Sequence, residues 1–522
     1  MMLSKKLLLS CLFAGALLGQ ANMAHAQDST LKIRINADIR SSDPGVNRDA
    51  NTDMVVMHVV EGLVGYKEDS TIGNMLAESV DISDDGKVYT FKLRDGITFH
   101  NGAPLTAEDV LFSWKRYTDP ANAWRCLPDV NGQGLAHVVN VAAPDPKTVV
   151  FTLEKPAALF LATLARTDCA GTGIYHHESV DASGKWVKPI GTGPFKFENW
   201  VSNQYIELAR NENYKALSTP RDGMVGDKTP LVDKVRFVII PDDSATKAAL
   251  LSGGIDIISD ISNTDVAELS ANKTVKLDKA QGMGLNVFLF QTRDPLLSDV
   301  RIRRALELSL DYPEIATVVT EGQAEAGHSV IPRPSAFFKT AQAEIPSRNI
   351  EEAKKLLAEA GYNGQPIEWI TSKQYPALFD TAVLAQAMAS EAGINLDIKV
   401  LDWATLQDHY NNGTYQAMSM TYSARLDPSL SFDMMSGNKD KQPRKVWDNP
   451  EALELLAKSK EVSDPAARQE IFDKLETMYR ADVPMISLYS GVKTAAVRPA
   501  VQGYKGWAVG QPRAWGVSVE AD

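Results

Sequence analysis

Residues 421–428 read Thr421-Tyr422-Ser423-Ala424-Arg425-Leu426-Asp427-Pro428. The residues just before them, 415–421, alternate loosely between small or polar side chains and Met418 and Met420, which is the period of a strand. Asp427-Pro428 ends the stretch in a turn, because proline drives the residue before it out of the α region. In open α/β sheets, ligands lie in the crevice beyond the carboxyl ends of strands. A loop that offers a hydroxyl, a guanidinium and a carboxylate at such an end is therefore a candidate ligand contact. The alternative is a surface turn in which Arg425 and Asp427 pair with each other.

The sequence around this stretch is an alternation of helices and strands. Upstream, 282–291 is a glycine-rich start followed by an apolar strand, and Asp299 caps a helix over 300–310. Asn349 caps another helix that Gly361 ends. A strand is expected at 366–370, a helix at 378–392 and an alternating strand at 396–401. Downstream, helices at 451–462 and 466–480 precede a strand at 485–489. The second half is thus an α/β unit in its own right.

The first half differs. Residues 31–36 alternate as a strand, and 51–62 reads as a helix whose start, Asn51-Thr52-Asp53, has capping chemistry. The region 88–153 is β-rich around one helix, which opens at Thr106 with Asp109 three residues on. A β-α-β succession follows over 235–258.

The N-terminus carries Lys5 and Lys6, an apolar run at 7–18 and Ala24-His25-Ala26, the pattern of a signal peptide cut after Ala26. The run is shorter than the ~20 residues of a membrane span. The 522-residue chain has a net charge of −12, which falls by two more when Lys5 and Lys6 leave. Nucleic acid is excluded as a partner, since phosphate contacts need clustered cations. Of three cysteines, Cys11 leaves with the leader. Cys126 and Cys169 remain, and in an oxidising compartment a disulfide is expected, with two buried thiols as the alternative.

Signatures of catalysis are missing from the sequence. His176-His177-Glu178 lacks the i, i+4 histidine pair of a zinc protease, and its two histidines are expected to point apart. No Gly-x-Ser-x-Gly elbow occurs. Gly191-Thr192-Gly193-Pro194 is a tight turn without the ending of a phosphate loop. No cofactor or metal is expected, and a secreted hydrolase is the rival reading.

Several segments together carry a resemblance. They are Leu76-Ala77-Glu78-Ser79, the run 88–102 (VYTFKLRDGITFHNG), 105–110 (LTAEDV), 189–195 (PIGTGPF), 299–306 (DVRIRRAL) and 358–362 (AEAGY). In this order they resemble the extracellular solute-binding proteins of ABC importers, family 5, the dipeptide, oligopeptide, opine and nickel type. The resemblance implies an α/β, two-lobed periplasmic-binding-protein fold with hinge strands and an extra β-rich subdomain in the first lobe. It implies a first lobe over 27–284 with the subdomain at about 65–190, a second lobe over 285–488, and a return to the first over 489–522. A small-molecule solute, an inner-membrane ABC permease and a monomeric periplasmic protein follow from it.

Peptide binders of the family hold the peptide amino group with an Asp in the loop matching 421–427, and this register places Ala424 there. Losing that acid removes the partner of a buried ammonium. Arg425 beside it favours an oxyanion, which a guanidinium binds bidentately. The expected solute is anionic and oxygen-rich, of the opine or sugar-phosphate (agrocinopine) type, with di- or oligopeptides as the alternative. Expected second-lobe contacts are Ser372, Gln374, Tyr422, Ser423, Arg425 and Asp427. Asn51, Asp53 and Met54 are expected from the first lobe, and Tyr489 beside a hinge. Met54 is equally readable as helix core. Trp403, Trp507 and Trp515 read as core, although an aromatic could stack on a sugar.

Overall fold

The computed structural model describes residues 29–46 and 49–520. The expected signal peptide lies outside them. Among the described residues no helix is long and apolar enough to cross a membrane.

A single ten-stranded sheet runs through the molecule. Its centre is a pair of long antiparallel strands, Lys276–Phe290 and Met485–Val497. Their register breaks between Gln281 and Leu285. Beyond the break on one side stand the strands Ala417–Tyr422, Ile367–Thr371 and Leu396–Val400. On the other side stand Ile257–Ile258, Thr30–Ile35, Lys234–Ile239, Tyr205–Arg210 and Phe195–Val201. Two lobes therefore share one sheet, and only the long pair crosses between them.

The crossing depends on missing side chains. A Cβ on Gly282 would meet the Gly491 carbonyl oxygen at 2.5 Å. The two backbones approach there as closely as glycine alone permits.

Both faces of the second-lobe sheet are covered. Phe288 and Phe290 join Trp369, Leu306 and Ala385 on one face, while Val287 and Leu289 join Met418, Phe432 and Leu475 on the other. Burial on both faces accounts for the continuous apolar run that marks this strand in the sequence.

The first lobe carries an additional antiparallel sheet of four strands, in the order Ala77–Ile82, Val88–Leu93, Thr148–Leu153, Val138–Asp145. Helix Ala107–Thr118 packs against it, with Val110, Trp114 and Tyr117 buried. Cys126 and Cys169 form a disulfide with their Cα atoms 6.1 Å apart, so the thiol alternative falls away.

Three expected elements change length, among them the strand read at 485–489, which runs on to Val497. The helix read at 51–62 spans only Ala50–Val56. The carbonyls of His58 and Val59 accept instead from Phe195 and Gly193, which takes them out of any helical ladder. Its cap is Asp49, which accepts from Asn51 N at 3.1 Å, and not the Asn51-Thr52-Asp53 triplet itself. The strand read at 282–291 begins six residues earlier, at Lys276. Its first part, Lys-Leu-Asp-Lys-Ala-Gln, is polar at four of six positions and only partly covered.

Candidate functional site

Strand Ile367–Thr371 runs parallel to both Leu396–Val400 and Ala417–Tyr422. Their carboxyl ends therefore face the same way. The loops at 372–375, 401–402 and 423–427 emerge along one edge of the second lobe, where an open sheet places its ligand.

Loop 423–427 is built around Asp427. This residue caps helix Pro428–Met435 by accepting from Ser429 N at 2.9 Å. Both its oxygens also accept from Arg468, at 2.8 and 2.9 Å, in a buried bidentate pair. Arg468 further donates to Ser429 Oγ and to the Ser459 carbonyl. Asp427 is thus engaged on both oxygens, and the turn in which Arg425 pairs with Asp427 does not form. Arg425 Nη1 instead donates to Ser423 Oγ at 2.8 Å and to the Ala424 carbonyl at 2.9 Å. Among the described residues it makes no ion pair with a carboxylate. Burial holds its pKa below the usual guanidinium value, with Arg166 and Arg444 repelling it and Asp168 and Tyr410 opposing that.

Arg166 and Asp168 belong to the first lobe, so the two lobes face each other with charge. Arg166 grips Asp168 through Nε and Nη2 at 3.0 and 2.8 Å and reaches Asp129 at 2.5 Å. Arg125 Nη2 lies 2.9 Å from Asp168 Oδ2 and 3.8 Å from Asp53 Oδ2. Asp53 is buried, its Oδ1 has no hydrogen-bond partner among the described residues, and its pKa is pushed up to about 7. Burial is the main cause; Arg125 works against it, while Asp168 and Asp49 add to it. Tyr66 lies buried at the same junction, its phenol pushed up by burial first and then by Asp427 of the other lobe.

Direct contacts join the lobes as well. Ala424 and Leu426 pack on the first-lobe core. Ala336 N donates to the Asp69 carbonyl, and Ala158 N to the Lys460 carbonyl, each at 2.8 Å.

The other expected residues have these places. Tyr422 is buried at the end of its strand, and Ser423 is exposed. Ser372 is buried and accepts from Gln374 N, while the Gln374 side chain is exposed. Asn51 ties its helix to the first strand through Asn36 Oδ1 and the Ala37 carbonyl. Met54 packs on the first-lobe core. Tyr489 is buried in the second-lobe core, paired with Asn286 beside the crossing. Trp507 and Trp515 are core residues, whereas Trp403 is partly exposed and meets Tyr375 edge to face at 4.6 Å. Sequence reasoning misses Arg125, Arg166, Asp168, Tyr66 and Arg468. A signal exists for two of them: Arg125 and Asp168 immediately precede the two cysteines.

Two lobes, a two-strand crossing and a charged junction between them define a periplasmic-binding-protein architecture. The chain belongs to the bacterial extracellular solute-binding proteins, family 5, whose model matches residues 71–443. It is 28% identical to heme-binding protein A of Haemophilus influenzae, over 91% of this chain and 89% of that one. It is 26% identical to the dipeptide-binding protein of Escherichia coli, over 91% of each. The solved structure of AgaA from A. tumefaciens R10 with agropinic acid superposes with a TM-score of 0.66 at 25% identity, covering 94% of this chain and 99% of that one. Proteins of this family deliver a solute to an ABC permease.

Proposed function

We propose that this protein captures a small polar, anionic solute of the opine or sugar-phosphate type and hands it, chemically unchanged, to an inner-membrane ABC permease. The reading rests on Arg425. It stands half-buried at the junction of the lobes, and the loop's one acid, Asp427, is taken by Arg468. Arg166 and Arg444 add positive potential around it. An oxyanion supplies the partner that the described residues do not. Solute contacts with Ser372, Gln374, Tyr422 and Ser423 from the second lobe, with Tyr489 beside a hinge, and with Asn51, Asp53 and Met54 from the first lobe belong to the same proposal. So do lobe limits at 27–284, 285–488 and 489–522, supported by the register break near Gly284, and a monomer exported after cleavage at Ala26. The agropinic acid complex of a structural neighbour is in line with an opine.

A second reading, a di- or oligopeptide, is favoured by Asp53, whose unpartnered carboxylate oxygen could take an ammonium, and by the dipeptide-binding relative. Calorimetry with opines, sugar phosphates and dipeptides separates the two. Tight binding of an anionic opine or sugar phosphate, lost in Arg425→Ala, supports the first. Tight dipeptide binding that survives this substitution overturns it. Recovery of the bound solute unchanged distinguishes capture from hydrolysis.

A further inference from the structure

A cluster in the β-rich part of the first lobe is built from residues that the solute cleft does not use. Helix Ala107–Thr118 starts against the short turn His177–Ser179. Asp109 Oδ2 accepts from Thr106 N at 2.9 Å and from Thr106 Oγ1 at 2.8 Å. That fixes the carboxylate and leaves Oδ1 without a hydrogen bond from the described residues. Contrary to the expectation from sequence, His176 and His177 do not point apart, because the chain leaves extended geometry at His176 and enters a tight turn at His177. Their rings lie 4.1 Å apart with planes 37° from parallel. One nitrogen of each ring and one oxygen of Asp109 all fall within 4.8 Å of one another. His176 is buried against Phe99, while His177 is exposed and its ring makes no hydrogen bond among the described residues.

We propose that Asp109, His176 and His177 bind a divalent transition-metal ion of the zinc type, at a site separate from the solute cleft. Two imidazoles and one carboxylate are a ligand set for such ions, with a coordination position left for water. Ligand atoms at ~2.0–2.2 Å from zinc stand roughly 3.3–3.6 Å from each other in a tetrahedron. The groups must therefore close by about 1 Å, which rotation of the exposed His177 provides. Glu178 supplies the outer support. Its Oε2 lies 3.7 Å from His176 Nδ1 and is held at 2.9 Å by Asn101 Nδ2. His176 Nδ1 here accepts from Glu178 N at 3.3 Å and lies 3.1 Å from Asn101 Nδ2. Binding the ion through Nε2 moves the ring proton to Nδ1, which gives up these contacts and donates to the Glu178 carboxylate, orienting the ring. The ion would tack the turn at 177–179 to the start of the helix.

The test is a titration of the full mature chain with zinc chloride, read by calorimetry and by metal content after dialysis. One zinc per chain is expected, with a raised melting temperature. His177→Ala, at an exposed position, should weaken binding at least tenfold. Asp109→Asn, which keeps an oxygen for the Thr106 cap, should do the same. His137→Ala and His409→Ala, outside the cluster, should leave it unchanged. Absence of stoichiometric zinc, or binding that survives both His177→Ala and Asp109→Asn, overturns the site.

Discussion

Arg125 and Asp168 form a 2.9 Å ion pair, and each is the chain neighbour of one half of the Cys126–Cys169 disulfide. The covalent bond thus holds together the two segments that carry the first-lobe charges of the junction. A closure between residues 43 apart limits the unfolded chain by ~3–4 kcal/mol in the loop-entropy view. The double variant Cys126→Ser/Cys169→Ser should lose about that much stability in denaturant titrations. Its solute affinity should fall as well, since Asp168 is no longer fixed opposite Arg425. Stability lost with affinity intact would show that the bond serves the fold alone.

Removing the Arg425 guanidinium should cost ~2–5 kcal/mol of binding to an anionic solute, the range for breaking a buried charge pair. Folding should be barely affected, because among the described residues the side chain hydrogen-bonds only to Ser423 and to its neighbour's carbonyl. An Arg425→Lys variant should recover only part of the affinity, as an ammonium cannot make the forked contact. Calorimetry beside a melting curve checks both halves. Equal affinity in wild type and Arg425→Ala would make Arg425 structural.

Asp427 and Arg468 give the opposite pattern, stability before binding. Arg468→Met leaves the Asp427 carboxylate buried without its bidentate partner, and such a loss costs ~3–5 kcal/mol. Adding Asp427→Asn should restore a large part of it, because the uncompensated charge is gone while Ser429 N keeps an acceptor. Denaturant midpoints of the single and double variants test this. A double variant no more stable than Arg468→Met would mean that packing of the long side chain, rather than charge, was lost.

These pairs also show what can be read from the sequence. Strand periods and cap residues locate the helices at 300–309, 350–359, 376–391, 450–459 and 465–482 and the strands at 367–371, 396–400 and 417–422 within a few residues, since those signals are local. The helices Tyr312–Val319, Trp403–Asn412 and Pro428–Met435 go unread. The loop 423–427 is legible for the same reason. Arg468 is not, because it reaches Asp427 from 41 residues away and nothing local marks it. The helix at 50–56 reads too long because its end is set by hydrogen bonds from Gly193 and Phe195, a tertiary effect. The strand from Lys276 reads short because its first part is only partly covered and has no apolar run. The strand from Met485 reads short because Ser490-Gly491 and Lys493-Thr494 interrupt its apolar pattern before Ala495-Ala496-Val497. Arg125 and Asp168 lie in view beside the expected disulfide, since a pairing of cysteines also pairs their neighbours, but no local pattern marks either residue as part of the junction.

Gly282 and Gly491 face each other at the crossing but should respond differently. A Cβ on Gly282 lies 2.5 Å from a backbone oxygen, so one of the two hinge strands must move. Gly282→Ala should destabilise by ~1–3 kcal/mol, the range for overpacking. A Cβ on Gly491 meets nothing within 4 Å, and Gly491→Ala should stay within about 0.5 kcal/mol of wild type. Similar urea midpoints for the two variants would contradict the close approach described for this crossing.

Asp53 makes stability depend on pH in an unusual direction for an acid. Its folded pKa is pushed up to about 7 from an ordinary 3.8, mainly by burial. Between those values the folded chain keeps a proton that the unfolded chain releases, so stability falls as pH rises. The contribution is complete below 3.8 and is lost as the pH climbs through about 7. At ~1.4 kcal/mol for each pH unit between the two values, the whole effect is on the order of a few kcal/mol. Asp53→Asn removes the titration and keeps the shape. It should melt higher than wild type at pH 8, match it closely at pH 4, and show a flatter profile between. Parallel profiles for the two proteins over that window would mean that Arg125 neutralises the carboxylate more fully than burial penalises it, and that Asp53 is charged in the free protein.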